Sequence, residues 1–64
     1  MKNKYNVKNI CYTDIYGNLL WKDKMQFRRL YAVGDEIIEN YKSYIVERVA
    51  LFKTTQYVNL RSLS

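Results

Sequence analysis

The chain has 64 residues, with eleven Lys and Arg against six Asp and Glu, so its formal net charge is +5 at neutral pH. This length allows one small domain across residues 1–64, and the single Cys and the lack of His exclude an internal disulfide and a zinc site of nitrogen and sulfur ligands. The charge excess favours nucleic acid or an acidic protein surface as the partner.

The cellular setting is predicted from segments that the sequence lacks. No apolar run approaches the roughly 18 to 20 residues that a membrane helix requires, and the N-terminal stretch MKNKYNVKN has no apolar middle of a secretion signal. With one unpaired Cys, these features predict a cytoplasmic protein without membrane contact. The abundance of Lys, Asn, Ile and Tyr is typical of an AT-rich genome and favours a phage or mobile-element origin.

The first predicted element is a strand from Lys4 to Asp14. Its apolar residues alternate, with a change of phase across Lys8 and Asn9 that is typical of a β-bulge. Gly17 and the Asn that follows it then supply the positive φ angles of a hairpin connection.

The segment after this turn has two interpretations. Alternation over residues 19–29 predicts a strand with one apolar and one basic face. Alternatively, Asp23 is the N-cap of a short helix near residues 23–31, in which apolar residues recur at i, i+3 and i+4. The sequence leaves both open.

Three further strands are predicted in the second half of the chain. Gly34 and Asp35 mark the turn that precedes them. The β-branched and aromatic content of the middle segment makes it the clearest strand of the sequence. The predicted ranges are 36–39, 44–52 and 57–61.

These elements predict an all-β fold, a small antiparallel five-strand curled sheet or barrel, because closing a sheet removes its exposed edges. The order Val33-Gly34-Asp35-Glu36-Ile37, a turn, Tyr44-x-Val46-x-x-Val49 and a late Val58-x-Leu60 resembles SH3-like small β-barrel proteins over about residues 31–61. The resemblance implies a fold only, since such barrels host unrelated functions.

The expected core is aromatic and β-branched. Cys11 is expected to be a small buried hydrophobe, with a reactive or dimer-bridging role as the alternative. The other expected core residues are Trp21, Ile37 or Ile38, Tyr44, Val46 and Val49.

The sequence predicts a protein that is not an enzyme and has no cofactor. Without His, a Gly-rich phosphate loop or an activated nucleophile, the usual catalytic arrangements cannot be assembled. The acidic cluster of Asp35, Glu36 and Glu39 could hold magnesium. The favoured interpretation is that Asp35 caps a turn while the two Glu side chains are solvated edge charges.

The basic residues give the main functional signal. In an extended segment, Lys22, Lys24 and Arg28 project from one face and Arg29 adds charge at the end, an arrangement that can follow phosphates. The simple alternative is that these charges keep the strand soluble and prevent edge pairing. The Tyr residues expected to stack on bases, chosen by parity or turn position, are Tyr12, Tyr16, Tyr41 and Tyr57.

Two functions follow from this signal. The first is a non-catalytic protein that contacts nucleic acid, or a nucleic-acid-processing complex, through the basic, Tyr-rich face. The alternative is an inhibitor or adaptor that acts on a host or defence protein through an aromatic or edge-strand interface, with a homodimer as one form. Salt separates the two, because phosphate contacts weaken steeply as salt rises.

Overall fold

A computed structural model describes residues 6–63, which form five strands and one short 3-10 helix. The predicted strand at residues 36–39 is confirmed with the same bounds, and the strands predicted at 44–52 and 57–61 each extend further. In chain order the elements are β1 (Asn9–Thr13), β2 (Leu19–Lys24), the 3-10 helix (Met25–Phe27), β3 (Glu36–Glu39), β4 (Lys42–Phe52) and β5 (Thr55–Ser62).

The strands form one sheet in the order β2-β1-β5-β4-β3, curled into a half-barrel. The prediction of an all-β, five-stranded curled sheet is confirmed. The sheet is mixed rather than wholly antiparallel, because β1 and β5 run parallel while the other three pairs are antiparallel. The parallel pair arises because residues 25–35 connect the β2 edge to the β3 edge, and the chain then returns through β4 to β5, which lies beside β1.

The change of phase predicted near the start of the chain lies just before β1. Val7 and Ile10 are both buried although they are three residues apart. The N–H groups of Lys8 and Asn9 both donate to the carbonyl of Thr54, at 2.8 and 3.1 Å, which absorbs the extra residue. The strand predicted from Lys4 to Asp14 is too long, since β1 covers only Asn9–Thr13, and residues 4 and 5 of the prediction lie outside the described residues.

The predicted strand over residues 19–29 is too long. β2 ends at Lys24, and the alternative helix is a three-residue 3-10 turn. Asp23 is not its N-cap, because the cap position is Lys24, whose own side chain makes no capping hydrogen bond. The backbone turns at this point because the N–H of Met25 donates to the carbonyl of Lys8 and the N–H of Arg28 donates to that of Met25, both at 3.0 Å.

The core fills the concave face of the sheet. Tyr12 lies at its centre, stacked on Trp21 with ring centroids 4.4 Å apart and edge-on to Tyr31 at 5.8 Å. The Tyr12 and Tyr31 hydroxyls share a 2.9 Å hydrogen bond, and burial raises the pKa of Tyr12 above its usual range. Trp21 therefore packs in the core as predicted. The buried apolar cluster comprises Ile10, Tyr12, Ile37, Val46, Val58 and Leu60, with Trp21, Met25, Tyr31, Tyr44 and Val49 packed against it.

The turn between β3 and β4 supplies a stability prediction. Its two residues, Asn40 and Tyr41, have φ angles of 51° and 64°, as a type I′ turn requires. Tyr41 is fully exposed. We expect Tyr41→Gly to raise the free energy of unfolding by about 0.5–1 kcal/mol, because the relief of left-handed strain exceeds the added chain entropy.

Urea denaturation of this variant measures the effect. Tyr41→Asn is the matched control, since Asn also tolerates positive φ but adds less chain entropy, and it should be at least as stable as the wild type. A loss of stability in both variants would mean that the Tyr41 ring contributes more than its turn geometry costs.

Candidate nucleic-acid interface

The convex face of the half-barrel carries a row of side chains centred on Tyr57. Cys11 on β1 pairs with Lys22 on β2 and with Tyr57 on β5, and Tyr57 pairs with Ala50 on β4. Cross-strand partners point to the same face of a sheet. Lys22 and Tyr57 therefore share this face, on either side of a short β1 side chain.

A second row lies one step along the same strands. Asn9 pairs with Lys24 and with Thr55, and Thr55 pairs with Phe52. Phe52 is 61% exposed and the Tyr57 of the first row is 40% exposed, so both aromatic side chains meet solvent. We call the surface formed by these rows and the adjoining turn the basic-aromatic face, and it comprises Asn9, Cys11, Lys22, Lys24, Phe52, Lys53, Thr55 and Tyr57.

An open groove of about 570 Å³ runs between the lysines and the tyrosine of this face. Lys22 and Lys24 form one wall and Tyr57 the other, while Asn9 and Cys11 of the intervening strand form a low floor. Strands in a sheet are about 4.8 Å apart, so the two walls stand roughly 10 Å apart at the backbone. The groove thus combines cationic, amide and aromatic groups within the reach of one nucleotide.

The positive charge of this face is available to a ligand. Among the described residues, the ion pairs join arginines to carboxylates and include none of the three lysines of the face. Lys53 lies over the Phe52 ring, 5.4 Å from its centroid. Asp23 also lines the groove, but its carboxylate accepts hydrogen bonds from the Lys24 N–H at 2.8 Å and from Arg28 at 2.7 Å.

Arg28 does not lie on this face, contrary to the prediction. Its Nε donates to Asp23 on β2 at 2.7 Å, and its Nη2 donates to Glu39 on β3 at 3.2 Å. The alternation that would have placed it beside Lys24 ends where β2 gives way to the 3-10 helix. Arg28 instead links the two edge strands of the half-barrel, and its hydrogen bond holds the pKa of Asp23 below its usual range.

Arg29 also lies apart from the basic-aromatic face, on the connection to β3. Its guanidinium is 3.4 Å from the Asp35 carboxylate and 5.3 Å from the Tyr31 ring centroid. The Asp35 carboxylate also accepts a hydrogen bond from the N–H of Ala32 at 2.9 Å, which supports the prediction that it caps the turn.

The acidic cluster does not converge on one point. Glu36 is exposed, whereas Glu39 lies three residues along β3 on the opposite face and accepts a hydrogen bond from Arg28. Within residues 6–63, no group of three carboxylate or thiol side chains is placed to hold a metal ion.

The predicted tyrosines lie in different parts of the fold. Tyr12 is 0% exposed, so its prediction as a base-stacking residue is wrong: the strand phase directs it into the core. Tyr16 and Tyr41 are exposed on the β1–β2 and β3–β4 turns, away from the two rows. Tyr57 alone of the four lies on the basic-aromatic face. Cys11 was expected to be a buried core residue, but it is half-buried in the groove floor on the opposite face of the sheet.

Sequence reasoning missed five members of this face. Their position depends on the parallel pairing of β1 with β5, which joins segments more than forty residues apart. Alternation around the β4–β5 turn was the available local signal, because it places Phe52 on the same face as Tyr57. The missed residues are Asn9, Cys11, Phe52, Lys53 and Thr55.

A second exposed cluster lies at the tip of the β1–β2 hairpin. The Asp14 carboxylate accepts hydrogen bonds from the N–H groups of Tyr16 and Asn18, both at 2.9 Å, and these bonds hold its pKa below the usual range. The turn is therefore ordered by its own hydrogen bonds. The exposed apolar residues of this turn and of the adjoining start of β2 are Ile15, Tyr16, Leu19 and Leu20.

Neither the fold nor a likeness to known proteins assigns a role to these surfaces. Within residues 6–63, no helix has the length and apolar character needed to cross a membrane. Comparison with models of protein families, with curated proteins and with solved structures finds no match to this chain.

Proposed function

We propose that this protein is a non-catalytic binder of nucleic acid and that the basic-aromatic face is its contact surface. The proposal rests on the groove in which Lys22 and Lys24 lie opposite the exposed ring of Tyr57. Among the described residues, neither lysine takes part in an ion pair.

The chemistry of the groove matches the two parts of a nucleotide. Lysine ammonium groups attract phosphates at any sequence, and an exposed aromatic ring offers a stacking surface to any base. Asn9 and Thr55, on the floor and at the side of the groove, carry polar side chains that can hydrogen-bond sugar or base edges. The net charge of +5 adds a long-range attraction for a polyanion.

Neutralising the lysine wall is expected to weaken binding. We expect Lys22→Gln with Lys24→Gln to lower the affinity for an oligonucleotide about tenfold at low salt. The slope of log K against log salt should become shallower by about 0.7–0.9 for each phosphate that the variant no longer neutralises. Fluorescence anisotropy with labelled oligonucleotides measures both quantities.

The matched control is Lys42→Gln with Arg61→Gln. This double variant removes the same net charge from positions outside the basic-aromatic face, and it should stay within about twofold of the wild type. Equal losses of affinity in the two double variants would show that total charge, rather than this face, governs binding. If the wild type fails to bind any oligonucleotide at low salt, direct contact with nucleic acid is wrong.

The ordered apolar tip of the β1–β2 hairpin supports a second candidate, binding to a protein. Exposed apolar side chains on a turn held by Asp14 hydrogen bonds present a preorganised contact surface. An inhibitor or adaptor of a host or defence protein would use such a surface. Complex formation at this tip would depend weakly on salt, in contrast to phosphate binding.

A further inference from the structure

We propose that the ligand of the basic-aromatic face is a single strand rather than a duplex, with its bases stacked on Tyr57 and Phe52 and its phosphates along Lys22 and Lys24. This inference rests on the proposed function, because it specifies which form of nucleic acid the same surface accepts.

The two exposed rings of the face are placed as consecutive platforms. Tyr57 pairs with Ala50 and Phe52 pairs with Thr55, so the two aromatic residues are diagonal neighbours across the β4–β5 hairpin. Diagonal neighbours lie about 7–8 Å apart and remain within mutual reach when the side chains are long. Two bases of one strand can therefore occupy the two rings in succession, with Lys53 over the second ring.

The groove beside Tyr57 accepts a base only if the base is unpaired and unstacked. Its volume of about 570 Å³ falls within the roughly 300–1,000 Å³ of clefts that enclose small ligands. A duplex hides the faces of its bases in the helical stack, so it offers phosphates to the lysines and nothing to the rings. Only a single strand can cover the exposed rings with its bases.

The shape of the face also fits the major groove of a duplex poorly. The major groove of B-DNA is about 12 Å wide and admits a helix or a two-stranded ribbon. The basic-aromatic face extends over four adjacent strands, from β2 to β4, which span roughly 14 Å at the backbone before side chains are counted. The described residues contain no helix longer than the three-residue 3-10 turn.

Three ligands of equal length test the inference by anisotropy at low salt: oligothymidine of about twelve nucleotides, its duplex with oligoadenosine, and an abasic strand with the same phosphates. The single strand should bind about tenfold more tightly than either of the others. Tyr57→Leu should lose about tenfold in affinity for oligothymidine and should change binding of the abasic strand by less than about twofold.

Matched variants separate stacking from folding. Tyr57→Phe keeps the ring and should bind within about twofold of the wild type, and Tyr16→Leu removes an exposed ring elsewhere and should do the same. Phe52→Leu should weaken single-strand binding by several-fold, which preserves the test if Tyr57→Leu fails to fold. Circular dichroism checks the fold of each variant.

Two results would overturn the inference while leaving the proposed function intact. In the first, the duplex or the abasic strand binds as tightly as oligothymidine. In the second, Tyr57→Leu and Phe52→Leu both bind like the wild type. In both cases the Lys22→Gln, Lys24→Gln double variant still binds more weakly than the wild type. Failure of all three ligands to bind would instead reject the proposed function itself.

Discussion

Replacing Gln56 with Leu is expected to lower the free energy of unfolding by about 2–4 kcal/mol, the largest effect of any substitution considered for this protein. Gln56 is fully buried on β5, and its amide binds the connection that crosses the core. Its Oε1 accepts the N–H of Tyr31 at 2.7 Å, and its Nε2 donates to the carbonyl of Arg29 at 3.1 Å. Leu has a similar volume but would leave both backbone groups without partners.

Urea denaturation of Gln56→Leu and of the exposed control Gln26→Leu measures this effect. The control should change stability by less than about 0.5 kcal/mol, because it removes no buried hydrogen bond.

Gln56→Glu adds a sharper test. A carboxylate can accept from Tyr31 but cannot donate to Arg29, whereas the protonated acid can do both, so this variant should become relatively more stable as pH falls. Wild-type stability in Gln56→Leu would contradict the assigned role.

Replacing Arg28 with Gln is expected to cost about 1–2 kcal/mol. The edge strands of the described sheet are β2 and β3, and Arg28 links Asp23 on one to Glu39 on the other. All three side chains are less than one third exposed, so their interaction is screened less than that of a surface pair. The glutamine variant leaves two carboxylates without their cation.

Arg61→Gln is the matched control, since the Arg61 and Glu47 side chains are 49% and 42% exposed and their ion pair should contribute less than about 0.5 kcal/mol.

The pH dependence of stability tests the same link between Arg28 and Asp23. Because Arg28 lowers the pKa of Asp23, its contribution is present above the ordinary value of 3.8 and is lost as pH falls through the lower folded value. Arg28→Gln should therefore flatten the acid limb of the stability curve. Equal stability losses in the two variants would show that Arg28 has no special role in closing the sheet.

Local patterns located β3, β4 and β5 well, because each has at least one buried position, whereas the strands predicted at 4–14 and 19–29 extend beyond β1 and β2. The alternation of Val58 and Leu60 with Tyr57 and Arg61 matches the observed burial of β5, and the Gly34-Asp35 corner lies before β3 as expected. The parallel pairing of β1 with β5 could not be predicted in this way. This pairing depends on which strands become neighbours after the connection crosses the core, and the local periodicity of each strand does not specify its neighbour.

The candidate site was predicted in part for the same reason. Lys22, Lys24 and Tyr57 were identified because strand parity places them outward. The prediction for Arg28 was wrong because β2 gives way to a three-residue 3-10 turn before it. The prediction for Tyr12 was wrong because the phase of β1 directs its side chain into the core. Whether an arginine faces solvent or a carboxylate from a distant strand depends on tertiary contacts that a single sequence does not display.

The position of β5 affects the order in which the protein can assemble. β5 is the last of the five strands within residues 6–63 but lies in the middle of the sheet, between β1 and β4. During synthesis the β1–β2 hairpin and the β3–β4 hairpin emerge as separate ribbons, and neither has a partner for its core face until the final strand inserts between them. Both Tyr57 and Gln56 belong to that strand. A nascent chain stalled before residue 55 would therefore have neither a joined core nor a complete basic-aromatic face.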